Sequence, residues 1–172
     1  MFASLLVMNQ LCKNILLVDD EKPFLLSLSE ALEFAGDVKV QTAENGREAL
    51  ESLQKGLINP DLLVTDLKMP EMDGYELLER ARKIHPDLPV IVLTACMDDD
   101  SEERLKQLGV AAYIEKPLDF EQLSGKIFAI LGMVPKIAGD QGIAEAGGTG
   151  DKSEGDVFSL EKIFGALSKA FD

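Results

Sequence analysis

Four short apolar runs punctuate the chain: Ile15–Val18, Leu62–Val64, Val90–Leu93 and Ala111–Ile114. None alternates with polar residues. Continuous apolar runs of this length fit strands covered on both faces, as in a parallel sheet. Val38–Thr42 does alternate and suits an edge strand. Between the runs, apolar positions recur at threes and fours. Phe24, Leu25, Leu28, Ala31, Leu32 and Ala35 form one such helical stripe, which Gly36 stops. Ala49, Leu50 and Leu53 follow Asn45-Gly46 and end near Gly56. Tyr75, Leu77, Leu78, Ala81 and Ile84 end at Pro86. Leu105 and Leu108 end at Gly109. Phe120, Leu123, Ile127, Ile130 and Leu131 end at Gly132.

Residues 14–132 therefore read strand-then-helix five times. That order predicts an α/β fold with right-handed crossovers. Five strands in about 120 residues fit a flavodoxin-like doubly wound parallel sheet, strand order 2-1-3-4-5. Beyond Gly132 the pattern breaks. Residues 135–155 are rich in glycine and small residues, which reads as a flexible linker. Residues 156–172 regain helical spacing. Ser159 is placed to cap a helix, and Leu160, Ile163, Phe164, Leu167 and Phe171 share one face. The expected organisation is an N-terminal extension over 1–12, a domain over 13–132, a linker over 133–155 and an amphipathic C-terminal helix over 156–172.

Composition narrows the function. The chain has 172 residues, 46% of them apolar, enough for one domain with a proper core. Its 31 acidic against 17 basic residues give a net charge of −14. Such a surface repels phosphate backbones and anionic bilayers, so neither nucleic acid nor a membrane is an expected partner. The apolar stretch Met1–Met8 is too short to span a bilayer and lacks the basic flank of a signal peptide. Met8 is an alternative start. Cys12 and Cys96, the two cysteines, have neither metal-ligand nor disulfide-framework spacing and read as reduced cytoplasmic thiols. His85, the single histidine, precedes Pro86 in a turn and reads as a solvated loop residue. The acidic run Asp98–Glu103 reads as the solvated first turn of a helix, favoured by its dipole.

In open α/β sheets, ligands bind beyond the carboxyl ends of the strands. Those ends carry Asp19 and Asp20 after strand 1, Asp66 after strand 3, Thr94 after strand 4 and Lys116 after strand 5. Each has an ordinary alternative. Asp19-Asp20 can cap the first helix, with Glu21 in its first turn; Asp66 and Lys116-Pro117 can be turn residues; Thr94 can end a strand. Together they describe chemistry. Three carboxylates in one pocket repel each other, and an all-oxygen ligand set points to Mg²⁺. A metal and a lysine around one carboxylate suit an incoming phosphoryl group, with Thr94 donating a hydrogen bond and Asp66 as nucleophile.

Ile15-Leu-Leu-Val-Asp-Asp-Glu21, Asp66-Leu-Lys-Met-Pro-Glu-Met-Asp-Gly74, Thr94-Ala95 and Lys116-Pro117 resemble the signature blocks of bacterial response-regulator receiver domains, over roughly residues 13–132. The resemblance implies that Asp66 accepts a phosphoryl group from a sensor histidine kinase or histidine phosphotransfer protein in a two-component system. It implies that Asp20, Asp66 and the Lys68 carbonyl bind Mg²⁺ directly and that Asp19 acts through water. It makes Thr94 and Tyr113 the paired switch residues and the Lys116-Pro117 bond cis. Lys68 and Cys96 would tune phosphorylation and dephosphorylation rates. The chain would then be a cytoplasmic relay module, catalysing only its own phosphorylation and dephosphorylation. A phosphatase of the haloacid dehalogenase type, which shares an Asp nucleophile and Mg²⁺, needs Asp-x-Asp after strand 1, and here the pair is adjacent. About 40 residues follow Gly132, too few for a helix-turn-helix beside a linker. Output is therefore expected through protein contact: a downstream target engaged by residues 157–171, or a phosphorylation-dependent homodimer.

Overall fold

The computed structural model describes residues 12–95 and 98–134. Its elements alternate in order: β1 (Lys13–Val18), α1 (Lys22–Ala35), β2 (Val38–Ala43), α2 (Gly46–Gln54), β3 (Leu62–Asp66), α3 (Gly74–Ile84), β4 (Val90–Thr94), α4 (Asp99–Gln107), β5 (Ala112–Glu115) and α5 (Phe120–Leu131). The five strands form one parallel sheet in the order β2-β1-β3-β4-β5, as expected. The predicted N-terminal extension up to residue 11, Cys96, the linker from residue 135 and the C-terminal helix lie outside the described residues.

The non-alternating strands have a simple cause. Ile15 and Leu17 of β1 face one core, with α1 and α5; Leu16 and Val18 face a second, with α2 and α3. Both faces of the central strands are dry, so their middle positions are apolar without alternation. Strands run past their apolar runs where pairing continues. Thr65 and Asp66 are buried and pair with Val92 and Leu93 of β4, and Thr94 pairs with Glu115 of β5. β1 starts early, at Lys13, because Asp61 ties it down: its carboxylate accepts from the Asn14 N–H at 2.9 Å and from Lys13 Nζ at 3.0 Å. β5 starts one residue later than its apolar run, since Ala111 is exposed and Ala112 is the first to pair with β4.

Gly36 ends α1 as expected, with an extended backbone (φ −160°). Glycine is needed there for room: a Cβ would lie 2.3 Å from Cε1 of Phe128, a buried α5 residue. The alternative in which Asp19 or Asp20 caps α1 does not hold. The capping position is Glu21, which makes no side-chain cap bond, and Pro23 lies at the helix start. The other four helices carry oxygen caps, with Asn45, Asp73, Asp98 and Asp119 each accepting from a backbone N–H three residues on. The acidic run is indeed the first turn of α4, with Asp99, Asp100 and Glu102 beside the capping Asp98. No described helix is long and apolar enough to cross a membrane.

Candidate functional site

The parallel sheet brings the ends of β1, β3, β4 and β5 to one edge, and four acidic and basic side chains meet there. Asp19 is fully buried beyond β1, and Asp66, the last residue of β3, is 6% exposed. Asp20 is exposed on the rim. One carboxylate oxygen of each lies within 4.8 Å of the others. Lys116 reaches in from the loop after β5 and donates to Asp19 Oδ2 at 3.0 Å and Asp66 Oδ2 at 2.8 Å. Its ammonium also sits 5.0 Å from the centroid of the buried Phe24 ring of α1.

Backbone donors hold the remaining oxygens. The Glu21 N–H donates to Asp19 Oδ1 at 2.9 Å, and the Lys68 N–H to Asp66 Oδ1 at 3.2 Å. The loop after β3 is pressed close: a Cβ on Gly74 would lie 2.3 Å from the Asp66 carbonyl oxygen, so only glycine fits. Thr94 is buried at the end of β4, where its carbonyl accepts from the Lys116 N–H at 2.7 Å. The Lys116–Pro117 bond is cis, as the resemblance implied. Tyr113 pairs across the ladder with Val92, two positions before Thr94. It is half-buried.

The electrostatics follow from burial. Desolvation pushes the Asp19 carboxyl above its ordinary value, against the pull of the Glu21 N–H and Lys116. Burial works to lower Lys116, but the bonds to Asp66 and Asp19 outweigh it and hold the ammonium above its ordinary value, fully charged at neutral pH. Two of the three carboxylates are thus dry, share one counter-charge and leave Asp20 toward solvent. This all-oxygen donor set, open on one side, fits a hard divalent cation such as Mg²⁺.

The structure brings together Asp19, Asp20, Asp66 and Lys116, places Thr94 and Lys68 around them, and sets Tyr113 on the neighbouring strand. The sequence reading missed two contributors: Phe24 under the ammonium, and the Glu21 and Lys68 amides on the carboxylates. Phe24 was legible only as a core residue. Backbone donors leave no residue-type signal.

The profile described as the response regulator receiver domain matches residues 15–128. The chain belongs to this family. Among curated proteins, this receiver domain is similar to the DNA-binding transcriptional regulator NtrC of Escherichia coli K12, with 41% identity over 105 residues, 61% of this chain and 22% of that protein. It is also similar to the response regulator MprA of Mycolicibacterium vanbaalenii, with 39% identity over 120 residues, 69% of this chain and 50% of that protein. The chain thus spans about a fifth to a half of these relatives. Two solved structures are matched over nearly their whole length by part of this chain. The CheY-like receiver domain protein from Methanospirillum hungatei has a TM-score of 0.66 at 34% identity, covering 70% of this chain and 94% of that one. Vibrio cholerae chemotaxis protein CheY4 has 0.63 at 29%, covering 69% and 98%. Receiver domains of two-component systems bind Mg²⁺ at an aspartate cluster and meet histidine kinases and downstream targets; this chain has an acidic group of Asp19, Asp20 and Asp66.

Proposed function

We propose that this receiver domain takes a phosphoryl group onto Asp66 from the phosphohistidine of a sensor histidine kinase or histidine phosphotransfer protein. The observation that carries the reading is Lys116, whose ammonium bridges Asp66 and Asp19 while Asp20 completes the carboxylate cluster. An Asp66 carboxylate oxygen forms the new O–P bond as the donor's P–N bond breaks, and the departing imidazole takes a proton. The two backbone and side-chain donors on Asp66 hold the carboxylate in place without rotamer search. Lys116 then meets the charge on the phosphoryl oxygens, and the Thr94 hydroxyl donates to one of them. Asp20, Asp66 and the Lys68 carbonyl hold Mg²⁺, with Asp19 acting through water; the ion supplies charge neutralisation at the transferring group.

Phosphorylation is read through Thr94 and Tyr113. New acceptor oxygens on Asp66 draw Thr94 toward them, Tyr113 turns into the space beside β5, and the face of α4, β5 and α5 changes shape. Output passes by protein contact at that face, to a downstream target or a second copy of the chain, in the cytoplasm. Catalysis extends only to the domain's own phosphorylation and dephosphorylation. Residues 13–132 form the receiver unit and residues 157–171 dock on a target or twin through a tether over 133–155. Truncation after Gly155 should leave phosphorylation intact and abolish partner binding or self-association. Acetyl phosphate with Mg²⁺ should add one phosphoryl group by intact mass. Labelling that survives Asp66→Asn overturns the assignment.

A further inference from the structure

The start of α1 touches the site twice. The Glu21 N–H donates to Asp19 Oδ1 at 2.9 Å, and the Phe24 ring lies under the Lys116 ammonium, its centroid 5.0 Å from Nζ. Phe24 is 3% exposed and shares a core with Ile114 and Leu118, which flank Lys116 in the chain. The ring is therefore fixed by packing, and the lysine comes to it. An ammonium has three N–H donors and no acceptor. Two of the three go to Asp19 Oδ2 and Asp66 Oδ2, at 3.0 and 2.8 Å. The ring attracts the same charge through its electron-rich face. It presents no oxygen that an incoming phosphoryl group has to displace.

These two kinds of contact respond differently to a divalent cation. Asp19 and Asp66 hold Lys116 by their charge. With Mg²⁺ on the carboxylates, the ammonium shares that attraction with a doubly charged neighbour and is repelled by it as well. The ring is neutral and buried, so its hold persists. Asp20 leaves the rim open to solvent, which gives a released ammonium a path to water. We propose that Phe24 is a positioning residue for phosphoryl transfer: its ring keeps the Lys116 ammonium facing Asp66 once Mg²⁺ occupies the carboxylates. The inference rests on Asp66 as the phosphoacceptor and deepens that reading. A weakened ring should lower affinity for a phosphoryl group, because the ammonium must first be recovered from the rim. It should leave affinity for Mg²⁺ intact, because the departing ammonium relieves repulsion.

Fluorinated phenylalanines of rising fluorine content at position 24 keep the ring's shape while drawing electron density from its face. Phe24→Leu removes the ring and should match the end of that series. Each full-length protein is titrated calorimetrically with Mg²⁺ alone, then with beryllofluoride, a phosphoryl mimic, at saturating Mg²⁺. Urea midpoints in EDTA report on the fold. Beryllofluoride affinity and the rate of labelling by acetyl phosphate should fall stepwise, by about threefold to thirtyfold at the end of the series, the range of a desolvated ammonium–ring contact. Mg²⁺ affinity should stay level or rise. Beryllofluoride affinity that keeps its wild-type value through the fluorine series overturns the role of Phe24. A parallel fall in Mg²⁺ affinity and urea midpoint also overturns it, since that is the signature of lost packing. Wild-type protein that binds Mg²⁺ but not beryllofluoride, or that is labelled elsewhere than Asp66, overturns the phosphoacceptor reading and the role of Phe24 with it.

Discussion

Replacing Lys116 with methionine is the sharpest perturbation of the site. The ammonium lies 3.0 Å from Asp19 Oδ2 and 2.8 Å from Asp66 Oδ2, and the side chains are 19%, 0% and 9% exposed. At an effective dielectric near 20, each contact has a gross attraction of about 5–6 kcal/mol, most of it offset by the desolvation of three charges. The loss is asymmetric, because methionine keeps the stem and leaves two neighbouring carboxylates dry with no counter-charge. Removing one partner of a buried pair costs about 3–5 kcal/mol, and the open rim at Asp20 points to the low end, about 3 kcal/mol. Urea unfolding with EDTA at pH 7 should show this loss as a lower midpoint at unchanged slope. Adding Mg²⁺ should recover a substantial part of it, since a cation relieves the same repulsion. Asp19→Asn combined with Lys116→Met should be far less destabilised than the sum of the single changes. A Lys116→Met protein within about 0.5 kcal/mol of wild type in EDTA, or strictly additive double-mutant energies, would refute the account of the site's electrostatics.

Other outcomes follow from single contacts. Gly74→Ala forces a Cβ against the Asp66 carbonyl and should cost about 2–4 kcal/mol and slow phosphorylation by acetyl phosphate; near-wild-type values for both would contradict the close packing of this loop. Arg82 donates to the carbonyls of Leu108, Gly109, Pro86 and Leu88, so Arg82→Ala should cost about 2 kcal/mol and speed hydrogen exchange at the end of α4; unchanged exchange there would count against the clamp. Burial works to raise the Asp61 carboxyl, but the Asn14 N–H and Lys13 outweigh it and hold it below its ordinary value. Its ionised form therefore favours the folded state above the unfolded carboxylate pKa of about 3.9, and that contribution is lost as pH falls through the lower folded value. Asp61→Asn should cost about 1 kcal/mol at pH 7 and flatten this acid limb; an unchanged acid limb would show that the bond contributes nothing.

The sheet order and the site's membership were legible because both depend on residue type. Buried parallel strands demand unbroken apolar runs, and the strand-end rule turns four such runs into a list of neighbours. Asp19, Asp66 and Lys116 could be placed together on that rule alone. Where geometry rather than residue type decides, the reading stopped short. Gly36 is legible as a helix stop, but the room its small size makes for Phe128, a contact between helices far apart in sequence, is not. Residue type left Asp19 open to capping the first helix as well as to the site; it is turned inward to Lys116, and its second oxygen reaches the Glu21 N–H. Strand ends were set by where apolar residues stop, but hydrogen-bond pairing carries β3 on through Thr65 to Asp66.

The central claim is that a covalent phosphoryl group forms on Asp66. Borohydride cleaves acyl phosphates and converts the aspartyl residue to homoserine, marking the site irreversibly. Full-length protein treated with acetyl phosphate and Mg²⁺, trapped with borohydride and mapped by peptide mass, should carry homoserine at position 66 and unmodified aspartates at 19 and 20. Homoserine at position 19 or 20 with an intact Asp66, or none at any of the three, would contradict the account.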